Sequence, residues 1–224
     1  FDVFDPERAT SGDIDGDGDA DLAVVEGKTG DVLVYKNEGS RVFSGPQRLD
    51  AGNAGSSPSG NDYNPDTNDV VIADFNADGR TDVATAHQHI FDGRFHIQQA
   101  DGTFTLLPRL DRPTTAVAKG DFDGDGNLDA VFSHSSWISI LYGPITGNSP
   151  VVTVDTGVYT YDIDVADLDG DGKDDILAGL TNANAVATIV YGNAARSGFE
   201  KGEVSLNQRL IGDSLQQYVS IGDI

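Results

Sequence analysis

The chain has 224 residues, of which 38% are hydrophobic, enough for the core of one domain or of two small ones. Its formal net charge of −23 argues against a nucleic-acid partner held through phosphate contacts. The absence of cysteine excludes disulfides, thiolate metal sites and cysteine nucleophiles. No apolar run approaches the ~20 residues of a membrane helix, so we expect no membrane insertion. Asp greatly outnumbers Glu, so the acidity has a local cause.

That cause is a repeated nine-residue acidic segment. It occupies residues 13–21, 74–82, 121–129 and 167–175, and a fifth copy begins at Asp223. The copies start 46 to 61 residues apart. Repeats of this length are typical of propeller blades and solenoids.

Short apolar segments surround each acidic segment, and they predict β-strands rather than helices. In chain order they lie at 22–25, 32–35, 41–43, 70–73, 83–86, 95–97, 103–107, 116–118, 130–132, 138–142, 151–154, 163–166, 176–178, 186–191 and 203–206. We therefore expect four-stranded meanders in repeat units at about 8–50, 69–111, 115–155 and 161–206, with a fifth starting at 218–224. Residues 50–68 form an irregular insertion rich in Gly, Ser, Asn and Pro.

The predicted fold class is an all-β propeller of about four four-stranded blades. A four-stranded sheet with two apolar faces cannot bury both alone, and radial stacking of such sheets gives a β-propeller. A β-sandwich is the alternative, although it does not need one acidic loop for every four strands.

The acidic segments have the oxygen ligands that Ca²⁺ prefers. Side-chain oxygens at positions 1, 3, 5 and 9, with a tight turn near position 6, suit a cation that takes about six to eight oxygens. The predicted ligands are Asp13, Asp15, Asp17 and Asp21; Asp74, Asn76, Asp78 and Asp82; Asp121, Asp123, Asp125 and Asp129; and Asp167, Asp169, Asp171 and Asp175. Position 7 would contribute its backbone carbonyl, from Asp19, Arg80, Asn127 and Lys173. The second site is the weakest, because Asn76 carries no charge.

Two alternatives to this calcium loop remain. An EF-hand needs Glu at position 12, where the chain has Val24, Thr85, Phe132 and Ala178. A metal-free acidic turn is the other alternative, but four crowded carboxylates repel one another without a cation. We interpret about four Ca²⁺ ions, one per loop, as structural links between the first two strands of each blade. Because extracellular calcium modules can bind weakly, this favours a secreted or cell-surface protein.

These loops, their following strands and endings such as Tyr142-Gly143 resemble the FG-GAP and VCBS repeat family, known from integrin α-subunits and secreted microbial proteins. The resemblance implies a propeller of about seven blades with calcium in the loop between the first two strands. Four complete loops then imply part of a larger propeller, with the remaining blades in a longer chain.

The function predicted first is a binding module, lectin-like or adhesion-like, that recognises a carbohydrate or protein partner. A hairpin turning at Asp92-Gly93 would place His89 opposite His96. Glu26, His87 and His134 fall at one equivalent repeat position. The alternative function is therefore the propeller domain of a polysaccharide lyase or sugar dehydratase, with Glu26, His87, His89 and His134 near its site, although polar strand-end residues explain the same pattern. Trp137 is expected to pack between blades or to stack on a sugar.

Overall fold

The computed structural model describes residues 6–26, 29–51, 67–87, 92–108, 110, 112–157, 159–180 and 186–205. These residues form sixteen β-strands in four antiparallel sheets. None of them belongs to a helix long and apolar enough to cross a membrane. Residues 52–66 of the expected insertion and the whole of the expected fifth repeat lie outside this description.

Each sheet is a meander in which the four strands follow one another in chain order. The first contains β1 (Pro6–Gly12), β2 (Asp21–Glu26), β3 (Val32–Asn37) and β4 (Phe43–Leu49), and the second β5 (Thr67–Ala73), β6 (Asp82–His87), β7 (Asp92–Gln98) and β8 (Phe104–Leu106). The third contains β9 (Ala116–Gly120), β10 (Asp129–His134), β11 (Trp137–Leu141) and β12 (Val151–Asp155), and the fourth β13 (Thr160–Ala166), β14 (Asp175–Leu180), β15 (Val186–Val190) and β16 (Lys201–Ser205). The predicted four-stranded sheets are confirmed.

Burial within a sheet explains why its strands carry apolar residues at consecutive positions. All six residues of β6 and all six of β10 are buried, as expected for strands covered on both faces. The last strand of each sheet is an edge and is more polar. In β12, for example, three of the five residues are exposed.

The sequence misplaced the last strand of the first sheet. It was predicted at 41–43, whereas β4 begins at Phe43. Ser40 and Arg41 have φ values of 52° and 66°, so they form the turn before the strand. Val42, which follows this turn, is 56% exposed. The apolar Val42 therefore lies outside the strand, and the sequence pattern placed the start of the strand too early.

The chain divides after Thr114 into two compact units, each with two sheets. In the first unit, β1 and β2 pack against β5. Its core contains Ile14, Ala23, Val25, Val32, Val34, Leu49, Val70, Ile72 and Val83. In the second unit, β9 and β10 pack against β13. Its core contains Ala116, Phe122, Val131, Ile138, Ile140, Tyr142, Val154, Ile163, Ile176 and Val190.

Candidate metal centre

Each acidic segment is a tight loop that joins the first strand of a sheet to the second. The carboxylate at its first position organises it. Asp121 accepts hydrogen bonds from the backbone N–H groups of Gly124 (2.8 Å), Asp125 (3.1 Å) and Gly126 (2.9 Å). Asp13 and Asp167 each accept the same three hydrogen bonds in their own loops. Gly124 and Gly126 have φ values of 76° and 86°, which explains why glycine suits these positions.

The carboxylate at the ninth position fastens the loop to the third strand. Asp129 is fully buried; its Oδ2 accepts from the N–H of Phe122 and its Oδ1 from the N–H of Gly143, both at 2.8 Å. The same two hydrogen bonds form at Asp21, Asp82 and Asp175. The sequence predicted these four residues only as metal ligands. The sequence did not predict that these carboxylates also hold the loop to the end of the third strand, a role that we call the clamp. The Tyr142-Gly143 ending nevertheless marked the position of one donor.

A negative charge on a buried clamp carboxylate is unfavourable unless an opposite charge lies nearby. Burial raises the pKa of Asp129 to about 7 and that of Asp82 to about 6, against the lowering effect of their backbone hydrogen bonds. Neighbouring carboxylates of the same loops raise both pKa values further. A cation at such a loop would offset the unfavourable charge.

Three of the four loops bring carboxylates together at a spacing that fits a calcium ion. Their ligand oxygens lie within 4.8 Å of one another, and two oxygens bound at roughly 2.4 Å on opposite sides of an ion are about that far apart. The groups are Asp13, Asp15 and Asp17; Asp121, Asp123 and Asp129; and Asp167, Asp169 and Asp175. The all-oxygen donor set suits Ca²⁺. The predicted ligands Asp21, Asp125 and Asp171 are not members of these groups.

The second loop differs from the other three. Among the described residues, Asp74, Asp78 and Asp82 do not form such a carboxylate group. Asp78 instead pairs with the Arg80 guanidinium and accepts a hydrogen bond from the Asn76 amide at 2.8 Å. The Arg80 Nε–H also donates to the carbonyl of Gln98 at 3.1 Å, which fixes the side chain beside the loop. A built-in positive charge thus lies where the sequence predicted the weakest site.

Basic side chains also contact the carboxylates of the other loops. Lys36 lies 3.4 Å from Asp15, and Lys173 pairs with Asp171. In the second unit, Arg196 pairs with Asp123 and lies 3.1 Å from Asp125. Its guanidinium also stacks 4.6 Å above the ring of Tyr142. The predicted use of the carbonyls of Asp19, Arg80, Asn127 and Lys173 as ligands stays a prediction.

The histidine hairpin expected from the sequence is wrong. Asp92 and Gly93 lie inside β7, where they pair with His87 and Ala86, so they do not form the turn. His96 pairs with Val83 in the same register. The expected partner, His89, lies outside the described residues. The Asp-Gly pair was therefore a misleading turn signal.

Glu26, His87 and His134 do end the second strands of their sheets, as the repeat alignment predicted. Their polar atoms are bound to near neighbours. Glu26 accepts from Thr29 and Arg48, His87 shares a 2.8 Å hydrogen bond with Thr85, and His134 shares one of 2.8 Å with Ser139.

Burial, followed by the nearby Arg94 and His96, lowers the pKa of His87 to about 3. This ring is therefore neutral at pH 7. These surroundings match strand-end residues bonded to their neighbours, and the enzyme alternative stays a prediction.

Trp137 begins β11 and is 41% exposed. The expected packing between blades therefore does not bury its ring. Tyr159 of the same unit is 43% exposed. Both rings are accessible to solvent.

Comparisons with known proteins place the fold. Among curated proteins no sequence matches the chain. Two solved structures are similar over 92% of the chain. One is an Agrocybe aegerita lectin described as specifically recognising non-reducing terminal N-acetylglucosamine, with 19% identity, a TM-score of 0.56 and 54% of its length covered. The other is a chain of the crystal structure of BBS1N in complex with ARL6DN, with 12% identity, a TM-score of 0.59 and 58% of its length covered.

The chain thus spans little more than half the length of these two structures. Its sheets and these neighbours confirm the predicted all-β propeller class, with four blades present. The sequence pattern described as FG-GAP-like repeat matches residues 13–85, 74–132 and 121–178. Together these matches span about three quarters of the 224 residues.

Proposed function

Because the chain belongs to the FG-GAP-like repeat family, we propose that it is a calcium-stabilised β-propeller module that binds a carbohydrate or protein partner outside the cell. The observation that carries the proposal is the convergence of three carboxylates in each of three loops. The four blades would be part of a larger propeller, since the chain covers only 54% and 58% of the length of the two similar structures.

The chemistry of the loops supports calcium. Carboxylates this close together repel one another. A divalent cation bound between them attracts each carboxylate and offsets that repulsion. Asp121, Asp123 and Asp129 would hold an ion in the third loop, and the corresponding groups would hold ions in the first and fourth. Since Asp129 also holds Gly143, a bound ion would stabilise the attachment of the loop to the third strand. We assign the weakest of the four sites to the second loop, in which no three carboxylates converge among the described residues.

The extracellular setting follows from this calcium chemistry. Extracellular calcium modules can have dissociation constants as high as about 10⁻⁴ to 10⁻³ M, which suffices where calcium is plentiful. A chain without cysteine has no disulfides to stabilise it there, and several bound ions would serve that purpose. We therefore propose secretion or display on a cell surface.

A carbohydrate is the first ligand class to test. One structural neighbour is a lectin, whereas the other comes from a complex of proteins, so both ligand classes occur with this fold. The net charge of −23 disfavours polyanionic ligands and leaves neutral glycans as suitable candidates.

Two measurements on the same protein test the proposal. Calorimetric titration of chelator-stripped protein with CaCl₂ should show binding, together with a rise in melting temperature. A glycan array probed with the calcium-loaded protein should then give binding to neutral saccharides that is lost in chelator. No heat of binding and no thermal shift at millimolar calcium would refute the calcium assignment. An array without any saccharide hit would refute the carbohydrate ligand and leave a protein partner.

A further inference from the structure

A cleft of about 490 Å³ lies in the first unit between β4 of one sheet and β7 and β8 of the next. This volume is in the range of small-ligand sites, which is roughly 300–1,000 Å³. The side chains that matter for its chemistry are those of Arg48, Leu49, Asp50, His96, Phe104 and Leu106. On one side of the cleft, the side-chain amide of Gln47 donates a hydrogen bond of 3.1 Å to the carbonyl of Gly102.

His96 is the unusual residue of this cleft. It is only 3% exposed and lines the cleft. Burial and the nearby Arg94 lower its pKa to about 4, so at pH 7 the ring is neutral, with one donor and one acceptor nitrogen. A neutral ring that lines a cleft can donate one hydrogen bond to a ligand and accept another.

Arg48 is held in place beside His96 before any ligand arrives. Its guanidinium pairs with Asp31, and its Nη2 lies 3.1 Å from both the Glu26 carboxylate and the Thr29 hydroxyl. The side chain is nevertheless 52% exposed. A fixed guanidinium with an exposed side can donate hydrogen bonds to ligand oxygens with little loss of conformational entropy.

The remaining features specify a neutral ligand with an apolar face. Phe104 and Leu106 are partly buried on one side of the cleft. Near the cleft, the carboxylates of Glu26, Asp31 and Asp50 outnumber the guanidinium groups of Arg48 and Arg94, so an anion is disfavoured. A sugar ring combines a face of C–H groups with hydroxyls that both donate and accept hydrogen bonds.

We propose that this cleft binds one neutral sugar ring, whose hydroxyls bond to His96, Arg48 and Asp50 while its apolar face lies on Phe104. The inference rests on the proposed function and names the site at which that function would take place.

The test measures binding of three neutral sugars, N-acetylglucosamine, galactose and mannose, to the calcium-loaded protein by calorimetry. For the best of them, His96→Phe and Arg48→Lys should each weaken binding about tenfold, because each removes hydrogen bonds to the ligand. The matched control is Thr105→Ala, an exposed residue of β8 that does not line the cleft. It should bind like the unaltered protein. Glucuronate, which adds a carboxylate to a similar ring, should bind at least tenfold more weakly.

The outcomes separate this site from the function as a whole. If the sugar binds equally well to all three variants, the cleft is the wrong site and the proposed function stands. If none of the three sugars binds, the cleft proposal is overturned even where the array reports other glycans. Tighter binding of glucuronate would overturn the claim of a neutral ligand.

A second measurement does not depend on the folding of the variants. In the unaltered protein, the ring ¹H–¹⁵N signals of His96 should shift when the sugar is added. Unchanged signals at saturation would overturn its role as a ligand contact.

Discussion

Replacing Asp169 with Asn separates metal binding from loop folding in the fourth sheet. Asp169 belongs to the carboxylate group with Asp167 and Asp175. Its Oδ1 accepts one hydrogen bond, from the N–H of Asp171 at 3.0 Å. The amide oxygen of Asn can accept that same hydrogen bond. The substitution therefore removes a negative charge from the group and keeps the hydrogen bond of the loop.

The expected effect depends on calcium. At a calcium concentration about 100 times the dissociation constant, one bound ion stabilises the folded state by about 2.7 kcal/mol. For a chain of this size, loss of that ion corresponds to a fall in melting temperature of about 5–11 °C. In excess chelator, Asp169→Asn instead relieves repulsion of at most about 1 kcal/mol per charge pair in water. The melting temperature should then stay constant or rise slightly.

Thermal unfolding followed by circular dichroism, in EDTA and in CaCl₂ at about 100 times the dissociation constant found by calorimetry, measures both effects. The matched control is Asp155→Asn in the same unit, because the Asp155 carboxylate accepts a similar hydrogen bond from the N–H of Gly157 at 2.8 Å outside any loop of the repeat. Its melting temperature should respond to calcium as that of the unaltered protein does. Equal losses for Asp169→Asn with and without calcium would show that the loop is not a metal site.

The other predictions concern the second sheet and the number of ions. Calorimetry should count three tight calcium sites and at least tenfold weaker binding at the second loop, which among the described residues has no group of three close carboxylates; four equivalent sites would contradict the importance given to these groups. Asp82→Ala should cost about 2–5 kcal/mol in urea unfolding, equally with and without calcium, because it leaves the buried N–H groups of Phe75 and Gln98 without their acceptor. In EDTA, His87 and His96, with folded pKa values of about 3 and 4, should each lower stability below pH 6.5, where the unfolded chain protonates its histidines, whereas protonation of Asp82 and Asp129, with folded pKa values of about 6 and 7, opposes this loss. The loss at pH 5 is about 2 kcal/mol for each ring, and a His87→Gln/His96→Gln variant with the same pH slope would refute this cause.

The acidic loops could be predicted from the sequence because their main interactions are local. The carboxylate of Asp121 binds N–H groups three to five residues further along the chain, so a nine-residue pattern contains most of the structure. The four-stranded sheets followed from the same repetition. What differs between the loops was only partly visible, since the convergence of three carboxylates depends on side-chain conformations.

The rest of the site depends on contacts that the sequence does not show. The clamp at Asp129 joins residues in different parts of a blade, since Gly143 lies beyond the third strand. The pairing of β6 with β7 placed Asp92 inside a strand, although an Asp-Gly pair favours turns. The cleft is formed by strands of two different sheets. Arg48, which is central to it, belongs to no motif and could not have been selected from the sequence.

The last strands of the first two sheets are short or interrupted edges. An exposed strand edge offers unpaired N–H and C=O groups, on which other chains can assemble into aggregates. Here β8 has only three residues, and β4 contains Pro46 and a break in its pairing with β3. Such short or interrupted edges are poor templates for intermolecular sheet growth. In the first two sheets, the last strands are therefore poorly suited to pair with strands of other copies of the chain.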